Sequence, residues 1–156
     1  MEPELDLRGT RHCASFVARR TARAITNLYE LALEPTGLRS TGFTILVAIA
    51  KTEPVAIGAL ARTLGLDSTT MTRNLRLLQE RALISISARS SDRQRLVTLL
   101  PQGRNALKRC LPHWRKMQKQ FLMKIGPDSW AALQRALEQL ALIATELRDP
   151  KEKIES

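Results

Sequence analysis

A mainly helical fold with one small β-hairpin, the winged helix-turn-helix class, is predicted by three observations in the middle of the chain. A short apolar helix, Ile57-Gly-Ala-Leu-Ala-Arg-Thr-Leu64, breaks at Gly65-Leu66. A second, amphipathic helix restarts at Asp67-Ser68, two side chains suited to cap a helix N-terminus by accepting from its free backbone N–H groups. The hydrophobic period then changes from helical to alternating at Ile84-Ser-Ile-Ser-Ala88, as a half-exposed strand requires.

The remaining elements follow in order. From Arg11 to Leu33, Cys13, Phe16 or Val17, Ala24, Leu28 and Leu31 recur at three- and four-residue steps and stop before Pro35-Thr-Gly37, which predicts a first helix. A second helix runs from Ser40 to Thr52. Its apolar members Phe43, Leu46, Val47, Ile49 and Ala50 cover more than one face, so it is expected to be buried, and Glu53-Pro54 stops it. In the helix from Thr69 to Arg81 a stripe of Met71, Leu75 and Leu78 marks the core side. Thr69, Thr72, Arg73 and Arg76, with Glu80, fall opposite, with no apolar residue expected among them. A second strand, Arg95 to Leu99, closes a hairpin whose polar tip runs from Arg89 to Arg95. Pro101 suits a first helical position, and Leu107, Leu111, Trp114, Met117, Phe121 and Ile125 continue a stripe that Pro112 is expected to kink near Lys108. After Gly126-Pro127 a last helix carries Trp130, Leu133, Leu137, Leu140, Ala144 and Leu147 at near-heptad spacing. Long terminal helices with more apolar surface than a small lobe can cover predict a homodimer; an intramolecular bundle is the alternative. The expected organisation is an N-terminal dimerisation helix and loop (1–39), a winged lobe (40–100) and C-terminal dimerisation helices (101–156) within one domain.

The Thr/Arg face has the chemistry of a recognition helix. Hydroxyls of Ser68, Thr69, Thr70 and Thr72 let the backbone approach phosphate at a helix N-terminus, where the dipole favours anions. Arg73 and Arg76 reach base edges, guanine being the usual bidentate partner. In the hairpin, Arg89, Arg93 and Arg95 suit a narrow minor groove, with Arg93 at the tip and Asp92 placed to hold a neighbouring guanidinium. A solvated charged face and a solvated turn are the plainer readings. Charge distribution favours the first account: residues 54–125 hold 14 Lys/Arg against three Asp/Glu, whereas the rest holds 11 against 12, so the net +10 lies in the middle. Such a localised field predicts double-stranded DNA as partner, with affinity falling steeply in salt.

In order and spacing, Ala59-Leu-Ala-Arg-Thr-Leu-Gly-Leu66, Ser68-Thr-Thr-Met-Thr-Arg73, Leu78-Gln-Glu-Arg-Ala-Leu83 and Asp92-Arg-Gln-Arg95 resemble the MarR family of bacterial transcription regulators. Ala22-Arg23, Leu28-Tyr29 and Pro35-Thr-Gly-Leu38 are similar to its first helix and following loop. Three departures stand out. Ala82 occupies the position where the family ends its recognition helix with glycine, which predicts a tighter or bent cap. The wing acid is Asp92 rather than residue 91, against its arginine-positioning role, and Leu99-Leu100 replaces the Leu-Thr that caps the next helix. The resemblance implies a cytoplasmic homodimeric regulator, by family habit a repressor, at an inverted-repeat operator. It also implies release by a small aromatic effector between the dimer helices and the lobe, where Phe16, Arg20, Phe43 and His113 are candidates; core packing and solvation are their plainer roles.

Cys13 and Cys110 lie on elements that converge in such dimers, so a thiol-based redox switch is an alternative form of regulation, aided by Arg11, Arg109, His12 and His113 nearby. Buried cysteine is more commonly a small hydrophobe. Zinc at His12, Cys13, Cys110 and His113 is disfavoured, because adjacent helical residues diverge and no C-x-x-C motif is present; no metal and no cofactor is expected. An enzyme is disfavoured too. The chain has two histidines, no phosphate-cradling loop, no G-x-S-x-G and no H-E-x-x-H, and Asp67, Glu80 and Asp92 fall on different elements. RNA is a weaker partner because aromatic residues are only 4%. A membrane surface is the poorer rival as partner, since no lipidation signal is seen and the longest apolar run is far below a spanning length, and the acidic start without an apolar leader segment predicts the cytoplasm.

Overall fold

A computed structural model describes residues 7–8, 10–87 and 94–148. Helix α1 (Ala14–Leu33) follows a 3-10 turn at Thr10–His12 and leads into a second, Glu34–Thr36. Thr36 fastens that turn, donating to the Leu33 carbonyl at 2.7 Å and accepting from the Leu38 N–H at 3.3 Å. Of the apolar stripe expected on α1, Leu28 is half-buried while Cys13, Phe16, Val17, Ala24 and Leu31 are exposed; Leu33 is the residue it buries. Helix α2 (Ser40–Thr52) buries Phe43, Ile45, Leu46 and Ile49, as an apolar helix with more than one covered face must; Ala50 is exposed. Ser40 Oγ donates to Glu30 Oε1 at 2.8 Å, which ties the start of α2 back to α1.

Among the described residues three strands form, one more than the sequence predicts. Strands β1 (Val55–Ala56), β2 (Ile84–Ile86) and β3 (Leu96–Leu99) pair antiparallel in the order β1-β3-β2, with Val55 opposite Val97 and Ile84 opposite Leu99. Between β1 and β2 lie α3 (Ile57–Thr63) and α4 (Ser68–Glu80). Gly65 turns the chain between these helices at a φ of 62°, a backbone region costly for a residue with a side chain. Asp67 alone caps α4, accepting the Thr70 N–H at 2.8 Å. At the other end Ala82 itself takes a φ of 53°, the Leu83 N–H reaches the Leu78 carbonyl at 3.0 Å and the Ala82 N–H reaches Gln79 at 2.9 Å. This is the hydrogen-bonding of a glycine-ended helix. The expected altered cap is therefore absent: the alanine absorbs the left-handed conformation instead of bending the helix end.

Helix α5 (Pro101–Ile125) starts at its proline as expected and stays helical through Pro112. Its first turn rests on the residue just ahead of β2: a Cβ on Gly103 would lie 2.1 Å from the Leu83 carbonyl oxygen, so only glycine fits. The same oxygen accepts the Leu100 N–H at 3.0 Å.

The chain divides after Trp114 into two units. The first contains the core, in which Leu33, Ile45, Leu46, Ile49, Leu60, Met71, Leu75, Ile84, Val97 and Cys110 are essentially sealed from solvent. Burying side chains of this size contributes roughly 1.5–3 kcal/mol each. In the second, Phe121 and Trp130 meet edge to face at 5.9 Å, on either side of a turn at Gly126. Helix α6 (Pro127–Arg148) then leaves Leu137, Leu140, Leu142, Ile143 and Leu147 exposed.

Candidate nucleic-acid interface

Helix α4 separates its two faces as the sequence predicts. Met71, Leu75 and Leu78 are buried, while Ser68, Thr69, Thr72, Arg73 and Arg76 are exposed. Thr72 Oγ1 donates to the Ser68 carbonyl at 2.8 Å, an i to i−4 bond that leaves its methyl group and an oxygen lone pair outward. Thr70 is half-buried and belongs to the cap: its hydroxyl donates to Asp67 Oδ2 at 2.6 Å. That bond, with the Thr70 N–H, holds the Asp67 carboxyl below its ordinary range. Two features escaped the sequence reading. Arg76 Nε donates to Glu80 Oε1 at 2.7 Å, and Leu77 is half exposed beside Arg73. The expectation of a face free of apolar residues thus fails at its edge. Leu77 lies about 40° from Arg73 around the helix, outside the arc that Met71, Leu75 and Leu78 occupy.

Of the hairpin candidates, Arg89, Asp92 and Arg93 lie outside the described residues, and Arg95 is exposed just ahead of β3. The Arg95 carbonyl accepts the Ile57 N–H at 3.2 Å, so β1, missed in the sequence, fixes the base of the hairpin to the start of α3. Arg62, Gln94 and Arg95 border an open cleft of about 400 Å³ together with Ala56, Ile57, Gly58 and Ala59. A second anchor is Glu53. Its carboxylate accepts the Leu99 N–H at 2.6 Å and an Arg104 guanidinium N–H, joining the end of α2 to β3 and α5. The bond from Leu99, then the one from Arg104, hold this carboxyl below its ordinary value despite partial burial.

The effector and redox candidates are scattered over different environments. Phe16, Arg20 and His113 are exposed; Phe43 is a core residue packed on Trp114 with ring centroids 6.1 Å apart. A smaller cleft of about 200 Å³ lined by Thr26, Ser40, Thr41, Thr44, Ile45, Leu64 and Leu66 includes none of the four. Cys13 is exposed ahead of α1, whereas Cys110 is buried and its Sγ donates to Thr36 Oγ1 at 3.3 Å. Among the described residues no group of three or more His, Cys, Asp or Glu is placed to hold a metal ion, and no helix is long and apolar enough to cross a membrane.

A family model described as MarR family matches residues 36–95, from the turn before α2 to the base of the hairpin. The transcriptional regulator MosR of M. tuberculosis, solved in complex with DNA, is 32% identical, with a TM-score of 0.80 over 87% of this chain and 98% of that one. The chain belongs to the MarR family. It is accordingly a DNA-binding transcription regulator, and α3 and α4 are its helix-turn-helix. Another MarR family regulator, from Rhodococcus sp. RHA1, shares the fold at 21% identity and a TM-score of 0.72, covering 86% of this chain and 96% of its own. CouR from Rhodococcus jostii RHA1, solved bound to p-coumaroyl-CoA, is 25% identical with a TM-score of 0.66 over 80% of this chain and 88% of that one. A search of curated proteins returns no match.

Proposed function

We propose that this MarR-family protein acts as a homodimeric repressor in the cytoplasm, without enzymatic activity, and binds an inverted-repeat operator whose half-sites are spaced by roughly 10 bp. The observation that carries the reading is the division of α4, with Met71, Leu75 and Leu78 buried and Thr69, Thr72, Arg73 and Arg76 free to enter a major groove. Ser68 and the threonines approach phosphate, Arg73 and Arg76 read bases, and Arg89, Arg93 and Arg95 extend contact to the minor groove. Exposed apolar side chains on α1 (Phe16, Val17, Leu31) and on α6 (Leu137, Leu140, Leu147) support burial against a second copy. Repression needs only that the operator be occupied, with no surface for polymerase. CouR, bound to an aromatic acyl-CoA, supports an aromatic effector, for which Phe16, Arg20 and His113 are the exposed candidates, whereas Phe43 is a core residue. Such a ligand releases DNA only by binding the DNA-incompetent spacing more tightly.

The test is binding of operator duplexes, recovered from genomic fragments, by the wild type and by Arg73→Ala, Arg76→Ala and Arg93→Ala. Each of the first two is expected to cost about 1–3 kcal/mol and relax base preference, while the third weakens the preference for A·T-rich flanks. Unchanged affinity in all three variants, or a monomeric mass in solution, contradicts the proposal.

A further inference from the structure

We propose that Glu80 is a specificity-determining residue that acts through Arg76: it holds the guanidinium so that its two terminal amino groups meet guanine end-on and keeps it from bonding phosphate. The inference rests on the recognition-helix reading above. Arg76 Nε donates to Glu80 Oε1 at 2.7 Å, and the two side chains are 79% and 52% exposed, so the pair stands in solvent on the Thr/Arg side of α4. As a device for helix stability it is poorly placed. The arginine precedes the carboxylate by one turn, the less favourable order, and Glu80 is the last residue of α4, where the helix dipole repels an anion. Exposed ion pairs contribute little in any case.

The geometry suits recognition better. A guanidinium offers N–H donors along distinct edges; with Nε–H committed to Glu80, the Nη1 and Nη2 fork remains, and that fork matches guanine O6 and N7. An unrestrained arginine swings to the nearest phosphate and adds affinity for any sequence. A held one binds well only where the two acceptors lie in line, and it loses less side-chain freedom on doing so. Glu80 also brings a negative charge towards the phosphates, which weakens binding to all DNA alike. Discrimination is thus gained at the expense of general affinity.

Two substitutions separate these effects. Glu80→Ala removes both acceptor and charge: affinity for a scrambled duplex should rise, and the ratio of operator to scrambled-duplex affinity should fall by about fivefold to tenfold. Glu80→Gln keeps an acceptor for Nε and removes the charge, so both affinities should rise while the ratio stays within about twofold of wild type. Adding Glu80→Ala to Arg76→Ala should leave the ratio of the single Arg76→Ala variant unchanged, because the residue it positions is gone. The measurements use the full chain with an operator duplex selected from random-sequence DNA and a scrambled duplex of equal length, at several salt concentrations. A wild-type ratio in Glu80→Ala, alongside a lowered ratio in Arg76→Ala, overturns the role of Glu80 and leaves the recognition helix standing. Wild-type affinities in both Arg73→Ala and Arg76→Ala instead overturn the recognition-helix reading itself.

Discussion

Helices α4 and α6 carry comparable apolar stripes in opposite surroundings. In α4, Met71, Leu75 and Leu78 are 0%, 1% and 4% exposed; in α6, Leu137, Leu140 and Leu147 are 47%, 54% and 77% exposed. Periodicity in sequence identifies which side of a helix seeks cover, but not which molecule provides it. The stripe of α4 is satisfied within its own chain by the core of the first unit. The stripe of α6 stands exposed, and an exposed apolar series of this kind is where an interaction surface is expected.

The contrast yields its largest expected effect at paired substitutions. Leu75→Ala should cost about 2–5 kcal/mol of unfolding free energy, read from denaturant titration, because it empties a sealed site. Leu140→Ala should change the stability of the dissociated chain by no more than about 0.5 kcal/mol, while weakening self-association in sedimentation runs at graded concentrations. Equal, concentration-independent losses in the two variants would break the comparison, since α6 would then be covered by its own chain.

The lobe containing α4 also has a polar tie that acid should loosen. Because Leu99 and Arg104 depress the Glu53 carboxyl below its ordinary 4.5, the stability it contributes is present above that value and disappears as pH falls through the lower folded value. Glu53→Gln should therefore lower stability by about 1 kcal/mol near neutrality, and the gap from wild type should close on the acid side of 4.5. A gap that persists or widens in acid would show that the carboxylate is not the source. The smallest effect is a gain. At a φ of 53°, Ala82 sits where a Cβ is strained, so Ala82→Gly should stabilise the chain by about 1 kcal/mol, partly offset by the extra freedom of glycine when unfolded. A lower melting temperature for that variant would mean that the methyl group makes contacts worth more than the strain.

Much of the lobe was legible because its signals are local. Asp67 caps from three residues away and Met71, Leu75 and Leu78 repeat at helical steps, so the limits of α4 come within a residue of expectation. Strand β1 left no trace, since Val55-Ala56 is too short to alternate and exists only because Val97 and Leu96 lie alongside. The Glu53 tie was equally hidden. Its partners are 46 and 51 residues away, and only the assembled fold brings them together. At the reading face, residue types suggested the chemistry, but the bond from Arg76 to Glu80 depends on rotamers that spacing alone does not fix. Cys110 shows the opposite limit. Its thiol invited a reactive role, while its place beside Ala106 and Leu107 on the buried side of α5 encloses it.

The seat of Gly103 on the Leu83 carbonyl leaves no clearance between the first turn of α5 and the root of the hairpin. A joint without slack transmits displacement instead of absorbing it. Tilting that end of α5 must therefore carry the β2–β3 ribbon along, which makes the pair a single lever.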